Sequence, residues 1–291
     1  MMQTDRLLKI FHWIVFGNYW VSAGSVAMYA VACSVLMIEY SWLWAAALFF
    51  GTLTAYTYHR VGPGVAYSPS STGGVRRNWI AENLQALRIQ MILSGILSMV
   101  IFTLLCTIEQ WAFLIPAAFI AVIYILPVIP QGGNWIRLRE LPFFKIFIIA
   151  AVWIVLSILP LVPDMSPLPQ NSSLQFLLAQ RLLFLLAVTI PFDLRDIEID
   201  RLRGIKTMAT ALGAVRSIQI SHLLLVFSAI VCWLAYQLQV WNAAQALSLA
   251  VSSASTAILI ARIKPDSDEM TFSFWLEGSM LDQLFWVQMF V

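Results

Sequence analysis

The chain has 291 residues, of which 60% are hydrophobic and 11% are charged, and its formal net charge is +2. Soluble domains carry about 25% charged residues, so this composition, with a mean hydropathy of +0.82, excludes an ordinary soluble enzyme and indicates an integral membrane protein. The small net charge gives no indication of a nucleic-acid partner. We predict a single all-α membrane domain over residues 1–291.

Apolar runs long enough to cross a bilayer as helices, which takes about 20 residues, recur along the whole chain. They lie near residues 10–37, 41–60, 83–106, 111–129, 142–163, 173–193, 216–239, 241–262 and 272–291. The sequence therefore predicts a polytopic protein with nine transmembrane helices.

The basic residues alternate in their placement between these runs. All Lys and Arg residues except Arg181 flank the N-terminus or the even-numbered gaps. By the positive-inside rule, this predicts a cytoplasmic N-terminus and an external C-terminus.

The sixth run ends in an unusually charged stretch, PFDLRDIEIDRLRGIKT, residues 191–207. On a helix that turns about 100° per residue, Asp193, Asp196 and Asp200 lie within about 60° of one another, while Arg195 and Glu198 point to the other side. Three carboxylates on one face suit Mg²⁺, which is usually held by one or two carboxylates together with substrate phosphates.

Two interpretations of this stretch are compatible with its spacing. In the first, Arg203, Lys206 and Thr207 bind phosphate oxygens beside the metal. In the second, the charges form a solvated salt-bridge network where a helix leaves the bilayer. Spacing alone does not decide between them.

The segment DLRDIEIDRLRGIKT, followed by ATALG, resembles the second aspartate-rich motif of the UbiA superfamily of intramembrane prenyltransferases. The similarity is strong across residues 190–213 and is greatest to quinone-pathway members that prenylate an aromatic acid. The resemblance implies a helical bundle with a central cavity open to the lipid. It also implies a prenyl diphosphate bridged by Mg²⁺ between two aspartate motifs, and a lipophilic acceptor.

The first aspartate motif of that family is missing here. Members carry an Asn and several aspartates at the end of the second helix, where this chain has GTLTAYTYHRV, residues 51–61. No Asp or Glu occurs anywhere from Tyr40 to Ala81, so a shifted alignment does not restore the motif. Tyr58, His59 and Arg60 stand in its place.

Two consequences of this departure remain open. In one, Arg60 with Arg76 or Arg77 replaces the second metal by direct charge, and His59 or Tyr58 serves as an acid or base. The chain is then a Mg²⁺-assisted prenyltransferase acting on a small aromatic or apolar acceptor, expected in a bacterial inner membrane. In the other, it binds an isoprenoid or lipid diphosphate without transfer. A transporter is a third, less favoured interpretation, because few ionisable residues fall at mid-membrane.

A few polar residues fall inside the predicted spans, where a charge is costly. We expect Asn18 to hydrogen-bond to a neighbouring helix and Arg181 to pair with Asp282 or Glu277, with a cavity-lining role as the alternative to that pair. Lys145 is expected to mark the membrane interface, with a contact to substrate phosphate as the alternative.

Overall fold

The computed structural model describes residues 2–62, 74–124, 126–131, 134–138, 141, 143–165, 171–202 and 204–291. Its α-helices are α1 (Met2–Phe16), α2 (Tyr19–Leu36), α3 (Trp42–Val61), α4 (Val75–Glu82), α5 (Leu84–Leu105), α6 (Ile108–Ile123), α7 (Phe144–Ile158), α8 (Ser172–Arg195), α9 (Ile197–Leu202), α10 (Met208–Leu212), α11 (Ala214–Gln237), α12 (Ala243–Ile260) and α13 (Ser279–Phe290). A 3-10 helix (Leu159–Met165), a π-helical segment (Thr271–Leu276) and two short strands, β1 (Pro127–Gln131) and β2 (Asn134–Arg137), complete the described elements.

Six of the described helical stretches are long and apolar enough to cross a membrane. They are Tyr19–Leu36, Leu84–Leu105, Phe144–Val162, Ser172–Arg195, Ala214–Gln237 and Ala243–Ile260. Helices suit lipid because they satisfy their backbone hydrogen bonds internally. These spans indicate an integral membrane protein, and the count of nine stays a prediction.

The N-terminal run predicted over residues 10–37 is two helices. Asn18, between α1 and α2, has a left-handed backbone with φ of 69°, which interrupts a continuous helix. Its side-chain amide donates to the Thr57 hydroxyl of α3 at 3.1 Å. The expected hydrogen bond from Asn18 to a neighbouring helix is thus confirmed.

The fourth predicted run, 111–129, is helical only to Ile123. Pro127 and Pro130 lack the backbone N–H that a helix interior requires, and the chain instead forms the antiparallel pair of β1 and β2, with Gln131 opposite Asn134. The helical assignment of residues 127–129 is therefore wrong.

The bundle is arranged around α2, which packs against α3, α7, α8 and α13. From α13 the contacts continue through α12 and α11 to α8 and α7, which returns to α2. The helix α5 packs on the outside of α3. The end of α8 lies against the π-helical segment that precedes α13, where Phe192 packs on Phe272.

The last predicted run, 272–291, begins as a π-helix, in which the N–H of Glu277 donates to the carbonyl of Phe272 at 3.1 Å. The Trp20 indole N–H donates to the Phe274 carbonyl at 2.8 Å. This bond ties the segment to α2. Single π-helical turns inside helices often occur at functional sites.

Candidate functional site

The C-terminal end of α8 places the aspartate motif. Pro191 lies inside the helix and removes one of its hydrogen bonds two residues before Asp193, which is buried. Asp196 caps the C-terminus of α8, and Asp200 follows on the separate short helix α9. The motif therefore crosses a helix break and does not lie on one continuous helix.

Lys145, near the start of α7, binds two of the three aspartates. Its Nζ lies 2.9 Å from Asp193 Oδ1 and 3.7 Å from Asp196 Oδ2. The side chain of Asp193 is only 3% exposed, so this ion pair is largely shielded from water. Lys145 is therefore part of the charged site and does not only mark the membrane interface.

Arg195 extends the site towards the C-terminal segment. Its Nε lies 3.0 Å from Asp196 Oδ1, and its Nη1 lies 3.4 Å from Glu269 Oε1. The guanidinium also lies over the rings of Phe192 and Phe272. The expectation that Arg195 points away from the aspartates is wrong, because the helix ends at this residue and the long side chain reaches back.

Arg76 reaches the same carboxylate from α4. Its Nη1 donates to Glu269 Oε1 at 2.9 Å and to Ser273 Oγ at 2.5 Å, and Ser273 in turn donates to Glu269 at 2.7 Å. Arg76 is only 5% exposed. Glu269 thus holds two arginines, Arg76 and Arg195, at one point.

Arg60 and Glu277 complete the cluster. Arg60, at the end of α3, interacts electrostatically with Glu277, Glu269, Arg76 and Arg195. Glu277 is 5% exposed, and its Oε2 has no hydrogen-bond partner among the described residues. We call Arg60, Arg76, Lys145, Asp193, Arg195, Asp196, Glu269 and Glu277 the charged cluster.

The two carboxylates of the charged cluster outside the spans keep their charge. Burial raises the pKa of Asp196, but Arg195 and Lys145 outweigh it, and the net pKa lies below its ordinary value of 3.8. For Glu269, burial likewise raises the pKa, and Arg195 and Arg76 bring it below the ordinary 4.5. Both groups are therefore ionised at neutral pH.

Aromatic rings lie beside the charged cluster. The Trp153 indole N–H donates to the Tyr56 hydroxyl at 3.2 Å, and the His59 ring centroid is 5.5 Å from that of Tyr124 and 6.4 Å from that of Tyr56. Tyr58, by contrast, lies against the backbone of Gly62, where an added Cβ would be 2.8 Å from its ring. Of the two predicted acid or base residues, His59 is the one in this aromatic group.

The remaining predicted phosphate ligands differ in placement. Arg77 and Lys206 are exposed on the surface. The Lys206 carbonyl accepts a hydrogen bond from Phe143 N at 3.1 Å. Arg203 lies outside the described residues. The structure therefore places Arg60 and Arg76 in the charged cluster and leaves Arg77 and Lys206 facing outward.

The described residues contain no group of three or more Asp, Glu, His or Cys side chains with the arrangement of a metal site. Asp200 is buried, but the break before α9 separates its helix from Asp193, and the other two aspartates share Lys145. Asp193 and Asp196 nevertheless offer the two carboxylates that Mg²⁺ commonly takes together with substrate phosphates. The donor set fits Mg²⁺, and the three-ligand site stays a prediction.

The expected intramembrane ion pair of Arg181 is wrong. Arg181 is fully buried and donates to Ser157 Oγ at 2.6 Å and to the Met28 carbonyl. Asp282 accepts from Ser255, and Glu277 faces the arginines of the charged cluster. Glu277 was therefore assigned to the wrong partner from sequence.

Glu269 and Ser273 were missed altogether. The recurrence of Glu269, Ser273 and Glu277 at a spacing of four residues, in a stretch that is otherwise apolar, could have indicated one polar helix face. That pattern does not predict which basic residues form ion pairs with this helix face.

Comparison with known proteins supports one family. A family model for the UbiA prenyltransferase family matches residues 82–279. A solved UbiA homolog from Archaeoglobus fulgidus aligns with a TM-score of 0.63 and 12% identity, covering 95% of this chain and 98% of that one. The same homolog bound to GPP and Mg²⁺ aligns with a TM-score of 0.62 and 12% identity, covering 94% and 98%.

A further structure comes from a study of digeranylgeranylglyceryl phosphate synthase in membranes. It aligns with a TM-score of 0.55 and 16% identity, covering 97% of this chain and 98% of that one. Curated protein sequences give no match. At these identities the structural likeness concerns the fold alone.

Proposed function

This chain belongs to the UbiA prenyltransferase family, and we propose that it transfers a prenyl group from a prenyl diphosphate to a small aromatic or apolar acceptor with the help of Mg²⁺. The observation that carries the proposal is the charged cluster itself, in which Lys145 binds Asp193 and Asp196, Arg195 binds Asp196, and Arg76 and Arg195 share Glu269. Guanidinium groups and carboxylates together are the chemistry that a metal-bound diphosphate needs.

The reaction begins when the allylic carbon–oxygen bond breaks and its electron pair leaves with the diphosphate. The site must then neutralise the leaving group, stabilise the carbocation and exclude water. In this proposal Arg60, Arg76 and Arg195 donate to the diphosphate oxygens, since guanidinium groups bind phosphate with several directed hydrogen bonds. The sequence also predicts phosphate contacts from Arg203 and Lys206. The exposed position of Lys206 argues against a contact from that residue, and the contact from Arg203 stays a prediction.

The aspartates would hold the metal. Asp193 and Asp196 are the proposed ligands, with Asp200 as the predicted third. When bound, Mg²⁺ supplies Lewis-acid neutralisation of the departing diphosphate. When no metal is bound, the Lys145 ammonium group pairs with both aspartates. In this proposal the same group binds a phosphate oxygen once the metal is in place.

In this proposal the acceptor binds beside the aromatic rings that lie next to the charged cluster. Faces of aromatic rings stabilise a nearby cation, and Tyr56, Tyr124 and Trp153 lie together with His59 next to the charged cluster. His59 is the favoured acid or base for the proton that the acceptor loses, and Tyr58 is the alternative. A lipophilic acceptor and the prenyl chain would both enter from the bilayer.

The proposed setting is a bacterial inner membrane with a cytoplasmic N-terminus and an external C-terminus. The bases of the charged cluster and nearly all the other Lys and Arg residues fall on the side that the positive-inside rule assigns to the cytoplasm. The diphosphate would therefore reach the site from the cytoplasm.

A second candidate function is isoprenoid diphosphate binding without transfer. It is favoured by one observation, that Asp193, Asp196 and Glu269 are already paired with basic side chains, so that these three carboxylates do not require a metal. A transporter has less support, because Arg181 and Asp282, the two ionisable groups that the sequence places nearest mid-membrane, hydrogen-bond to neutral partners.

The metal assignment is tested with Asp196→Ala and Asp200→Ala in lipid nanodiscs. We expect each substitution to weaken Mg²⁺-dependent binding of geranyl diphosphate by about tenfold or more while the helical content is unchanged. Glu198→Ala is the matched control, because Glu198 is exposed and pairs with Arg201 on the surface. If both aspartate variants bind as the parent does, the metal assignment is wrong.

A further inference from the structure

Two carboxylates of the charged cluster belong to the C-terminal segment and lie outside the aspartate motif. Glu269 is bound by Arg76 and Arg195, and Glu277 lies in the electrostatic field of Arg60, Arg76 and Arg195. The same three arginines are those that the proposed function assigns to the diphosphate. Glu269 therefore occupies hydrogen-bond donors that the substrate would need, and Glu277 adds negative charge beside them.

The formal charges of the charged cluster cancel. Arg60, Arg76, Arg195 and Lys145 contribute +4, and Asp193, Asp196, Glu269 and Glu277 contribute −4, which gives a sum of zero over these eight described residues. A diphosphate that enters such a site alone makes it strongly negative in a region of low dielectric. It must bring cations, or the site must lose anions.

Unused hydrogen-bonding capacity lies at the same point. Nε and Nη2 of Arg76 and Oε2 of Glu277 are buried and have no hydrogen-bond partner among the described residues, and both side chains belong to residues that are 5% exposed. Buried polar atoms are normally paired, so unpaired donors and an unpaired acceptor in one buried cluster indicate that a polar ligand completes it.

We propose that Glu269 and Glu277 are built-in counter-anions of the diphosphate site, whose place a prenyl diphosphate takes: Glu269 holds Arg76 and Arg195 directly, and Glu277 balances their charge from beside them. The inference rests on the proposed function for the identity of the anion. The displaced carboxylates need positive charge, so the diphosphate enters only together with divalent cations. The absence of carboxylates from residues 51–61 is consistent with this arrangement, in which the acidic groups that face the arginines come from the other end of the chain.

Neutral variants test the proposal directly. The double variant Glu269→Gln with Glu277→Gln changes the formal sum of the charged cluster from 0 to +2 while it keeps hydrogen-bonding side chains of nearly the same size. We expect it to bind geranyl diphosphate in EDTA at least about tenfold more tightly than the parent does in EDTA, and to show a smaller gain on addition of Mg²⁺.

The matched control is Glu82→Gln, which makes the same chemical change at an exposed position on α4, the helix that carries Arg76. It should bind as the parent does in both conditions. Because Glu269 also pairs with Arg76 and Arg195, the double variant removes two ion pairs from the fold. Glu277→Gln alone keeps both pairs and provides a second variant, for which a smaller gain in EDTA is expected.

Two results overturn the proposal. If affinity in EDTA is unchanged in both variants, the carboxylates do not compete with diphosphate. If instead the variants lose the Mg²⁺-dependent binding of the parent, the carboxylates are metal ligands or fix the arginines, and they are not displaced.

Inorganic diphosphate separates this proposal from the proposed function. It carries the anion without the prenyl chain, so the counter-anion proposal expects the same gain in EDTA for this probe. Suppose that the variants gain affinity for inorganic diphosphate but bind geranyl diphosphate no more tightly than inorganic diphosphate. The counter-anion proposal is then supported, and the assignment of a prenyl substrate is wrong. If the parent binds geranyl diphosphate with Mg²⁺ and the variants gain nothing, the counter-anion proposal fails alone.

Discussion

Two buried arginines show how differently this bundle accommodates charge. Arg76 lies in the charged cluster and meets the Glu269 carboxylate, with Arg60, Arg195 and Glu277 nearby. Arg181, inside the membrane-spanning helix α8, donates its hydrogen bonds among the described residues to a hydroxyl and a backbone carbonyl. An arginine that is paired with a carboxylate can exchange that partner for an anionic ligand, whereas an arginine held by neutral dipoles has no anion to exchange.

The hydrogen-bond partners of Arg181 lie on two neighbouring helices. Ser157 belongs to α7 and Met28 to α2, so one guanidinium joins three central helices. A charge inside a membrane protein usually faces the bundle interior and indicates function, but here its contacts support a structural role. The comparison predicts that substitutions in the charged cluster change ligand binding and that substitution of Arg181 does not.

The largest effect is expected when the charged cluster loses Lys145. Lys145→Met leaves Asp193 buried without its ion pair, and loss of one partner of a buried pair costs about 3–5 kcal/mol. Unfolding by denaturant in detergent micelles should show a decrease in the free energy of unfolding of about 3 kcal/mol. Lys206→Met, at an exposed base, is the control, and equal stability of the two variants would contradict the account.

Arg76 and Arg77 form a matched pair for ligand binding, since they are neighbours on α4 and only Arg76 is buried. Arg76→Met should weaken Mg²⁺-dependent binding of geranyl diphosphate about 10- to 100-fold, because a hydrogen bond to a charged group contributes about 1.5–3 kcal/mol. Arg77→Met should leave the affinity near that of the parent. Equal losses in calorimetric titrations would mean that burial in the charged cluster does not select the ligand-binding arginine.

The close packing of the segment that carries Glu277 can be tested by substitution of Gly278. A Cβ at this position would lie 2.6 Å from the Phe274 carbonyl oxygen and 3.3 Å from the Trp20 indole nitrogen. Gly278→Ala should therefore lower the free energy of unfolding by about 1–3 kcal/mol through overpacking. At Gly74 an added Cβ meets nothing within 4 Å, so Gly74→Ala should have little effect. The prediction fails if the two alanine variants melt at the same temperature.

Arg181→Met should change little. Replacing a buried charge by an apolar side chain of similar length removes its desolvation cost together with its hydrogen bonds, so we expect a stability change within about 1 kcal/mol and unchanged affinity for geranyl diphosphate. A tenfold loss of affinity would show that Arg181 acts on the site and would remove the distinction between the two arginines.

The smallest effect is expected from pH. Asp196 and Glu269 have pKa values below the ordinary 3.8 and 4.5, so their contribution to stability is fully present above those values and is lost as pH falls through the lower folded values. Stability should be nearly flat between about pH 5 and pH 8 as far as these two groups are concerned. Denaturation curves at stepped pH measure this, and Asp196→Asn should reduce the acid loss.

Part of the site could be predicted from sequence because its signals are local. The aspartates of α8 and α9 stand within eight positions of one another, and Arg60 follows directly on an apolar run. The hydrophobic composition indicated an integral membrane protein, and the aspartate motif indicated the family that the comparison established. These features need no knowledge of which helices pack together.

The rest depended on long-range packing. The bond between Arg76 and Glu269 joins residues 193 positions apart, and that between Lys145 and Asp193 joins residues 48 positions apart. A helical wheel also assumes a continuous helix, whereas Asp196 has φ of −93° and ψ of 3° and ends α8. The predicted orientation of Arg195 was wrong for this reason, and the same break places Asp200 on a separate helix.

The central claim is that the charged cluster binds and ionises a prenyl diphosphate, and one measurement tests it most directly. Purified protein in lipid nanodiscs is incubated with radiolabelled geranyl diphosphate, with Mg²⁺ or with EDTA, and free diphosphate is measured over time. The account predicts release that depends on Mg²⁺ and that Asp196→Ala abolishes. Tight binding without release, with Mg²⁺ present, would contradict transfer and favour the binding protein, and absence of binding would contradict both functions.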